Sequence, residues 1–328
     1  MAVIANTVLT TAAQGNREEL DDFVAMITPT DTPIYTLAGK AKAASKHPEW
    51  EFETLDTPAD NAQPEGNEYN FDAVAAPTRV GNYTQIFNKT FIFSGSQQAV
   101  DNAGGAEKRA HEMMKKGKAI KKDMEYSILV NTASTNSDPR RSGGLPTWLT
   151  TNVSRGGGGG ASGGFSGGVT TVETTGTQRA WTKALTDTVL QSCYNAGANV
   201  TTLVVSPYNK GVFATFMSDS NVANQRHPVQ AGQKISIIGT ADIYESPWGP
   251  VEVVADRVMS GSAGLARRVY AIDPDMIQWL SLRAIQEDQV AKTGDAEKGV
   301  LIAEGCLKVR NEAGLGVIAD VYGLTASS

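Results

Sequence analysis

Residues 164–168 read Gly-Phe-Ser-Gly-Gly and match the G-x-S-x-G pattern, in which a serine stands on a sharp turn as a nucleophile. Chain order supplies the other two members of a triad, with Asp187 or Asp219 as the orienting acid and His227 as the base. A serine hydrolase using Ser166 and His227 is the chemistry this spacing suggests. The pattern works only where a strand runs into the turn and a helix leaves it, exposing the hydroxyl and helping to hold an oxyanion. Ser166 is instead preceded by glycines and followed by Val-Thr-Thr-Val-Glu-Thr-Thr (169–175), a β-branched stretch that resists helix.

The same glycine-rich run, 154–170, lacks the lysine and the following helix of a Walker phosphate cradle, since no lysine occurs until Lys183. So much glycine gives a side chain no fixed frame. It reads as a mobile, exposed loop, and deleting Gly156 to Gly164 is expected to leave folding intact because loop length costs little free energy. His47, His111 and His227 show no metal-binding spacing, and Cys193 and Cys306 read as two buried small hydrophobes rather than a disulfide. The residues point to no metal, no cofactor and no catalytic group beyond the serine pattern.

The elements around these residues are more informative than the motif. The chain has 328 residues, 41% hydrophobic and 20% charged, enough for about two ordinary domains without disulfide support. A net charge of −6 excludes general electrostatic binding of nucleic acid by the whole surface. No stretch of about 18 apolar residues offers a membrane span, and the first residues lack a basic export signal, so the chain is expected to be made in the cytosol.

Residues 1–47 read as an arm that packs on other elements. From 48 to 90 the sequence predicts a long two-stranded excursion, with Trp50 and Phe52 alternating against Glu49, Glu51 and Glu53. Between Pro48 and Asn88, eight carboxylates, Glu65 among them, are opposed only by Arg79. An arm with so little core needs a partner surface. Residues 106–131 give the clearest helix, with Ala106, Ala110, Met113, Gly117, Ile120, Met124 and Ile128 on one stripe, about 37 Å long at 1.5 Å per residue. Its other faces carry Lys108, Arg109, Lys115, Lys116, Lys118, Lys121 and Lys122 against Glu107, Glu112 and Asp123. Further on come a helix stopped at Gly197, a buried strand at Thr-Leu-Val-Val (202–205), a helix capped by Ser206-Pro207, strands joined by Pro-Trp-Gly-Pro (247–250), and a strand-rich tail.

This order of elements, together with "TPIYTLAGKAKA", "PEWEFETL", "AQPEGNEYNFDA", "NYTQIFNKTFIFSG", "KKDMEYSIL" leading to "RRSGGLPTWL", and "KTGDAEKGVLIAEGCLKV", resembles the major capsid proteins of tailed bacteriophages, in particular the SU10-type family. The resemblance implies an α+β, Hong Kong 97-like fold. Its parts would be an N-terminal arm (1–47), an extended loop (48–90), a peripheral domain (91–180 and 256–328, with spine helix 106–131) and an axial domain (181–255). It implies a non-enzymatic subunit that assembles with itself into hexamers and pentamers of an icosahedral head. Such a head is put together in the host cytoplasm, encloses DNA without reading its sequence, and works with portal, scaffold or decoration proteins and no membrane. An encapsulin-like compartment is the alternative within the fold. The extended loop would lie on a neighbour, with Glu49, Glu51, Glu53 and Glu65 near Lys115, Lys116, Lys118 and Lys122 and with Trp50 and Phe52 as apolar anchors. Some relatives harden the shell through a lysine on that loop; here Pro48 to Asn88 holds no lysine to supply the amine.

Overall fold

The computed structural model describes residues 28–68, 71, 73–100, 108–216, 242–292 and 294–327. Two sheets share the body. The first has four strands in the order β1 (Gly39–Lys42), β12 (Ile277–Gln289), β13 (Ala296–Val309) and β4 (Gln85–Ser94). β12 and β13 make a long antiparallel hairpin whose register shifts between Ser281 and Gln286. The short helix α2 (Gly95–Ala99) follows β4 directly. Helix α3 (Lys108–Leu129) packs against β4 and β13, and the short helix α1 (Pro33–Leu37) packs against α3. The predicted helix is therefore present, and its first two residues lie outside the described set.

The second sheet has six strands in the order β5 (Asn152–Ser154), β14 (Gly316–Ile318), β11 (Val269–Ile272), β8 (Thr202–Val205), β10 (Gly249–Ala255) and β9 (Ile243–Ser246). Its central strands β8 and β11 are buried at every residue, as continuous apolar runs dictate. Helix α4 (Lys183–Asn195) buries Val189, Leu190 and Cys193 and is followed by Gly197 at φ 88°, a left-handed stop. Helix α5 (Pro207–Thr215) starts under Ser206, whose hydroxyl accepts from the Asn209 amide at 3.2 Å. Strands β9 and β10 meet across the Pro247-Trp248 turn. Burial raises both Cys193 and Cys306 to about 12, which keeps each thiol protonated and inert.

Strand pairing crosses two of the boundaries drawn from sequence. The six-stranded sheet takes β5, β11 and β14 from outside 181–255, because distant segments supply partners for its apolar central strands. In the excursion, pairing among the described residues is confined to β2 (Glu49–Phe52) and β3 (Thr78–Gly81); the next strand pattern, β4, pairs with β13 instead.

The glycine-rich run is not an open loop. Gly164–Ser166 (β6) and Val169–Thr171 (β7) form a hairpin turned by Gly167 and Gly168, at φ 61° and 85°, the positive φ at both central positions that a tight two-residue hairpin needs. Phe165 stacks on Trp148 at 5.7 Å and 8°. The Gly156 amide donates to Asp320 Oδ2 at 3.1 Å, and Ala161 bridges Thr174. Gly163 is squeezed where a methyl group would collide with the Thr171 carbonyl and stand 2.8 Å from that of Thr147. Gly163→Ala should therefore lower unfolding stability by about 1–3 kcal/mol in urea titration. Deleting 156–164 should disrupt the fold rather than leave it intact, because it removes Gly156, Ala161 and the closely packed Gly163 and takes Gly164 from β6.

Candidate inter-subunit surface

The base of the 48–81 arm is pinned to its own chain. Trp50 is buried, donates its indole N–H to the Val309 carbonyl at 2.7 Å and packs on Trp148 at 5.6 Å, with the Lys308 ammonium 5.4 Å from its ring centre. Phe52 is half-buried against the same core. Trp50, expected as an anchor on a neighbour, instead serves its own subunit, because the indole has both a carbonyl and a second tryptophan within reach. Asn82 completes the anchor from a fully buried position, donating to Leu307 O at 2.7 Å and accepting from Gly143 N at 2.8 Å. Sequence reasoning missed Asn82, since a single asparagine in a turn-rich stretch carries no pattern. Glu49 pairs with Arg79 and has His47 Nδ1 at 3.9 Å.

Beyond the base, 53–68 and the other described residues up to Arg79 lie exposed. Glu51, Glu53 and Glu65 face solvent. So do Leu55, Phe71 and Val74, at 97%, 95% and 98% exposure, apolar side chains with no cover among the described residues. Among the described residues these three, rather than Trp50, are the arm's free large apolar groups.

On α3 the buried stripe begins only at Ile120 and continues through Met124 and Ile128. Met113 and Met114, nearer the helix start, are exposed at 37% and 63%. Lys118 is exposed, Lys116 and Lys122 are half-buried, and Lys115 pairs with Glu112 one turn before it. Among the described residues no ion pair joins these lysines to an acid of the arm within the subunit. Opposite charges thus lie on separate parts of one chain.

Ser166 stands exposed on the β6–β7 hairpin, and strand rather than helix follows it. That is the wrong context for a nucleophile elbow, because no helix start aims amide groups at an oxyanion. Asp187 accepts a hydrogen bond from the Tyr244 hydroxyl, while Asp219 and His227 lie outside the described residues. No group of three or more potential metal ligands occurs among the described residues, and no described helix is long and apolar enough to cross a membrane.

The model of the SU10 major capsid protein family matches residues 5–322, nearly the whole length. The chain belongs to the SU10 major capsid protein family. It is the major capsid protein of a tailed bacteriophage and so a component of the virion. The capsid protein is 24% identical to the major capsid protein of Escherichia phage Phieco32, an alignment covering 99% of this chain and 100% of the relative. The capsid structure of cyanophage A-1(L) superposes with a TM-score of 0.65 at 16% identity, covering 95% of this chain and 98% of that one. An encapsulin complex from Synechococcus elongatus aligns with a TM-score of 0.55 at 11% identity, covering 94% and 92%. The capsid protein has the Hong Kong 97 fold, mixed helix and sheet, as its capsid neighbours share.

Proposed function

We propose that the capsid protein closes an icosahedral head by laying its 53–77 arm across a neighbouring copy in hexamers and pentamers. In this arrangement Glu51, Glu53 and Glu65 meet the basic face of α3, with Lys116, Lys118 and Lys122, and Leu55, Phe71 and Val74 enter apolar contacts. The observation that carries the reading is the near-complete exposure of these three apolar side chains beyond a base fixed by Trp50 and Asn82. A rigid base with an uncovered apolar tip is suited to a second molecule and has little use in a lone subunit. A standard interface buries about 1,600 Å² in total, and a lattice subunit repeats such contacts on several sides. Charge across the contact sets register and encounter rate, while the apolar groups hold it.

In this reading the six-stranded sheet with α4 and α5 forms the axial part and the four-stranded sheet with α3 the peripheral part. The shell is assembled in the host cytoplasm around DNA held without sequence readout, with portal, scaffold or decoration proteins as its partners. The role is structural rather than catalytic. The encapsulin likeness supports the same packing with protein cargo inside, and particles that form only with portal and DNA separate the two. Replacing Glu51, Glu53 and Glu65 together by lysine should reduce particle yield at least about tenfold in sedimentation and negative-stain microscopy, because like charges then face α3. Normal shells from that variant would sink the charge pairing.

A further inference from the structure

Two carboxyl groups meet in the interior, away from the arm. Glu125 on α3 and Asp256, just after β10, are both fully buried. Glu125 accepts from the amides of Ile34 at 2.8 Å and Tyr35 at 2.6 Å, so it holds the first turn of α1. Asp256 accepts from the Val258 amide at 2.8 Å through Oδ1. No donor among the described residues reaches its Oδ2, and the group that its carboxyl faces is the Glu125 carboxyl. Two buried acceptors can face each other favourably only with a proton between them.

A further acid and several cations surround the pair. Asp31 stands near Asp256 and is itself 3.5 Å from Arg257 Nε. Lys40, on β1, reaches the Tyr35 carbonyl and lies over the Tyr35 ring at 3.5 Å, with Lys121 of α3 nearby. Lys40 is drawn down to about 8, chiefly by burial, while the attraction of the Glu125 carboxylate acts in the opposite sense. Among the described residues neither Arg257 nor Lys40 forms an ion pair with Glu125 or Asp256.

We propose that Glu125 and Asp256 share one proton and so form a latch that fastens residues 32–42 onto the long helix, tight in acid and loosened in alkali. Burial, then the facing Asp256, pushes Glu125 above the ordinary carboxylate range, and burial does the same for Asp256. An acid whose proton is held more tightly folded than unfolded contributes stability at low pH, and that stability is lost as pH rises through the folded value. Above it, two buried negative charges face each other across the seam between α3 and the β10 exit.

The test is chymotrypsin cleavage after Tyr35 and Leu37 in the full chain, normalised to the unfolded chain at each pH. Cleavage should rise at least about tenfold between about pH 6 and about pH 9, each unit of titration being worth at most tenfold in the opening constant. Asp256→Asn places an amide donor opposite Glu125 and should flatten this rise, whereas Lys40→Met should keep it. Infrared spectra at neutral pH should show a protonated carboxyl band whose frequency Asp256→Asn shifts. A wild-type chain without that band, or an Asp256→Asn chain with an unchanged rise, would overturn the latch. The infrared reading on wild-type protein decides the matter even where the variant does not fold.

Discussion

Shells are expected to disappear when Leu55, Phe71 and Val74 are changed together to serine, while the subunit itself stays folded. Each side chain is at least 95% exposed, so the change removes almost no contact among the described residues. Exposed substitutions of this kind usually shift stability by about 0.5 kcal/mol or less. Burying a leucine, phenylalanine or valine contributes about 1.5–3 kcal/mol each, so one docked arm stands to lose roughly 5–9 kcal/mol. At about 1.4 kcal/mol per tenfold, that is a loss of three orders of magnitude or more for a single contact, and a closed lattice repeats it. Sedimentation and negative-stain microscopy should find no closed particles, while circular dichroism and the urea midpoint of the free subunit stay near wild type. Particles at normal yield would mean that the arm's apolar tip remains in solvent. Charge reversal at Glu51, Glu53 and Glu65 is the milder change, because salt screens exposed pairs while leaving apolar burial in place.

The sequence was most legible where pattern and burial coincide. The continuous run Leu203-Val204-Val205 lies in a wholly buried strand, and Ser206-Pro207 starts α5 as capping chemistry requires. Helix α3 is visible from its stripe, but only the half from Ile120 onward is covered; periodicity shows which face is apolar and not what covers it. Alternation with glutamates makes Trp50 look like a free anchor, because the pattern is the same whether the apolar face meets its own core or a neighbour. What pins it is Val309, 259 residues away, which no local pattern reveals. The glycine run misleads for a related reason. Glycine permits disorder, and equally the close approach at Gly163 and the tight turn at Gly167-Gly168, and composition alone does not distinguish these uses.

Glu173→Ala should be the most damaging single change to the free subunit. Glu173 follows β7 at the end of the glycine-rich lobe, and its carboxylate lies between two arginines. Arg155, where the lobe begins, approaches it at 2.6 Å, and Arg268, leading into β11, donates to its other oxygen. The side chains are 1%, 9% and 3% exposed for Glu173, Arg155 and Arg268. One carboxylate thus fastens both ends of the lobe to the six-stranded sheet, and Asn131 brackets its backbone with bonds of 2.8 and 3.0 Å. Alanine would leave two guanidinium groups buried without their counter-charge, a loss of about 3–5 kcal/mol. Whole domains are stable by only about 5–15 kcal/mol, so much of the chain should be insoluble or unfold early in urea. Buried ion pairs contribute little over well-packed apolar groups, and the harm comes from orphaning their partners. Replacing Glu173, Arg155 and Arg268 together by leucine and methionines should therefore recover much of the loss, as read from the urea midpoint. A triple variant no better than Glu173→Ala would assign the lobe's attachment to the specific geometry of the charges.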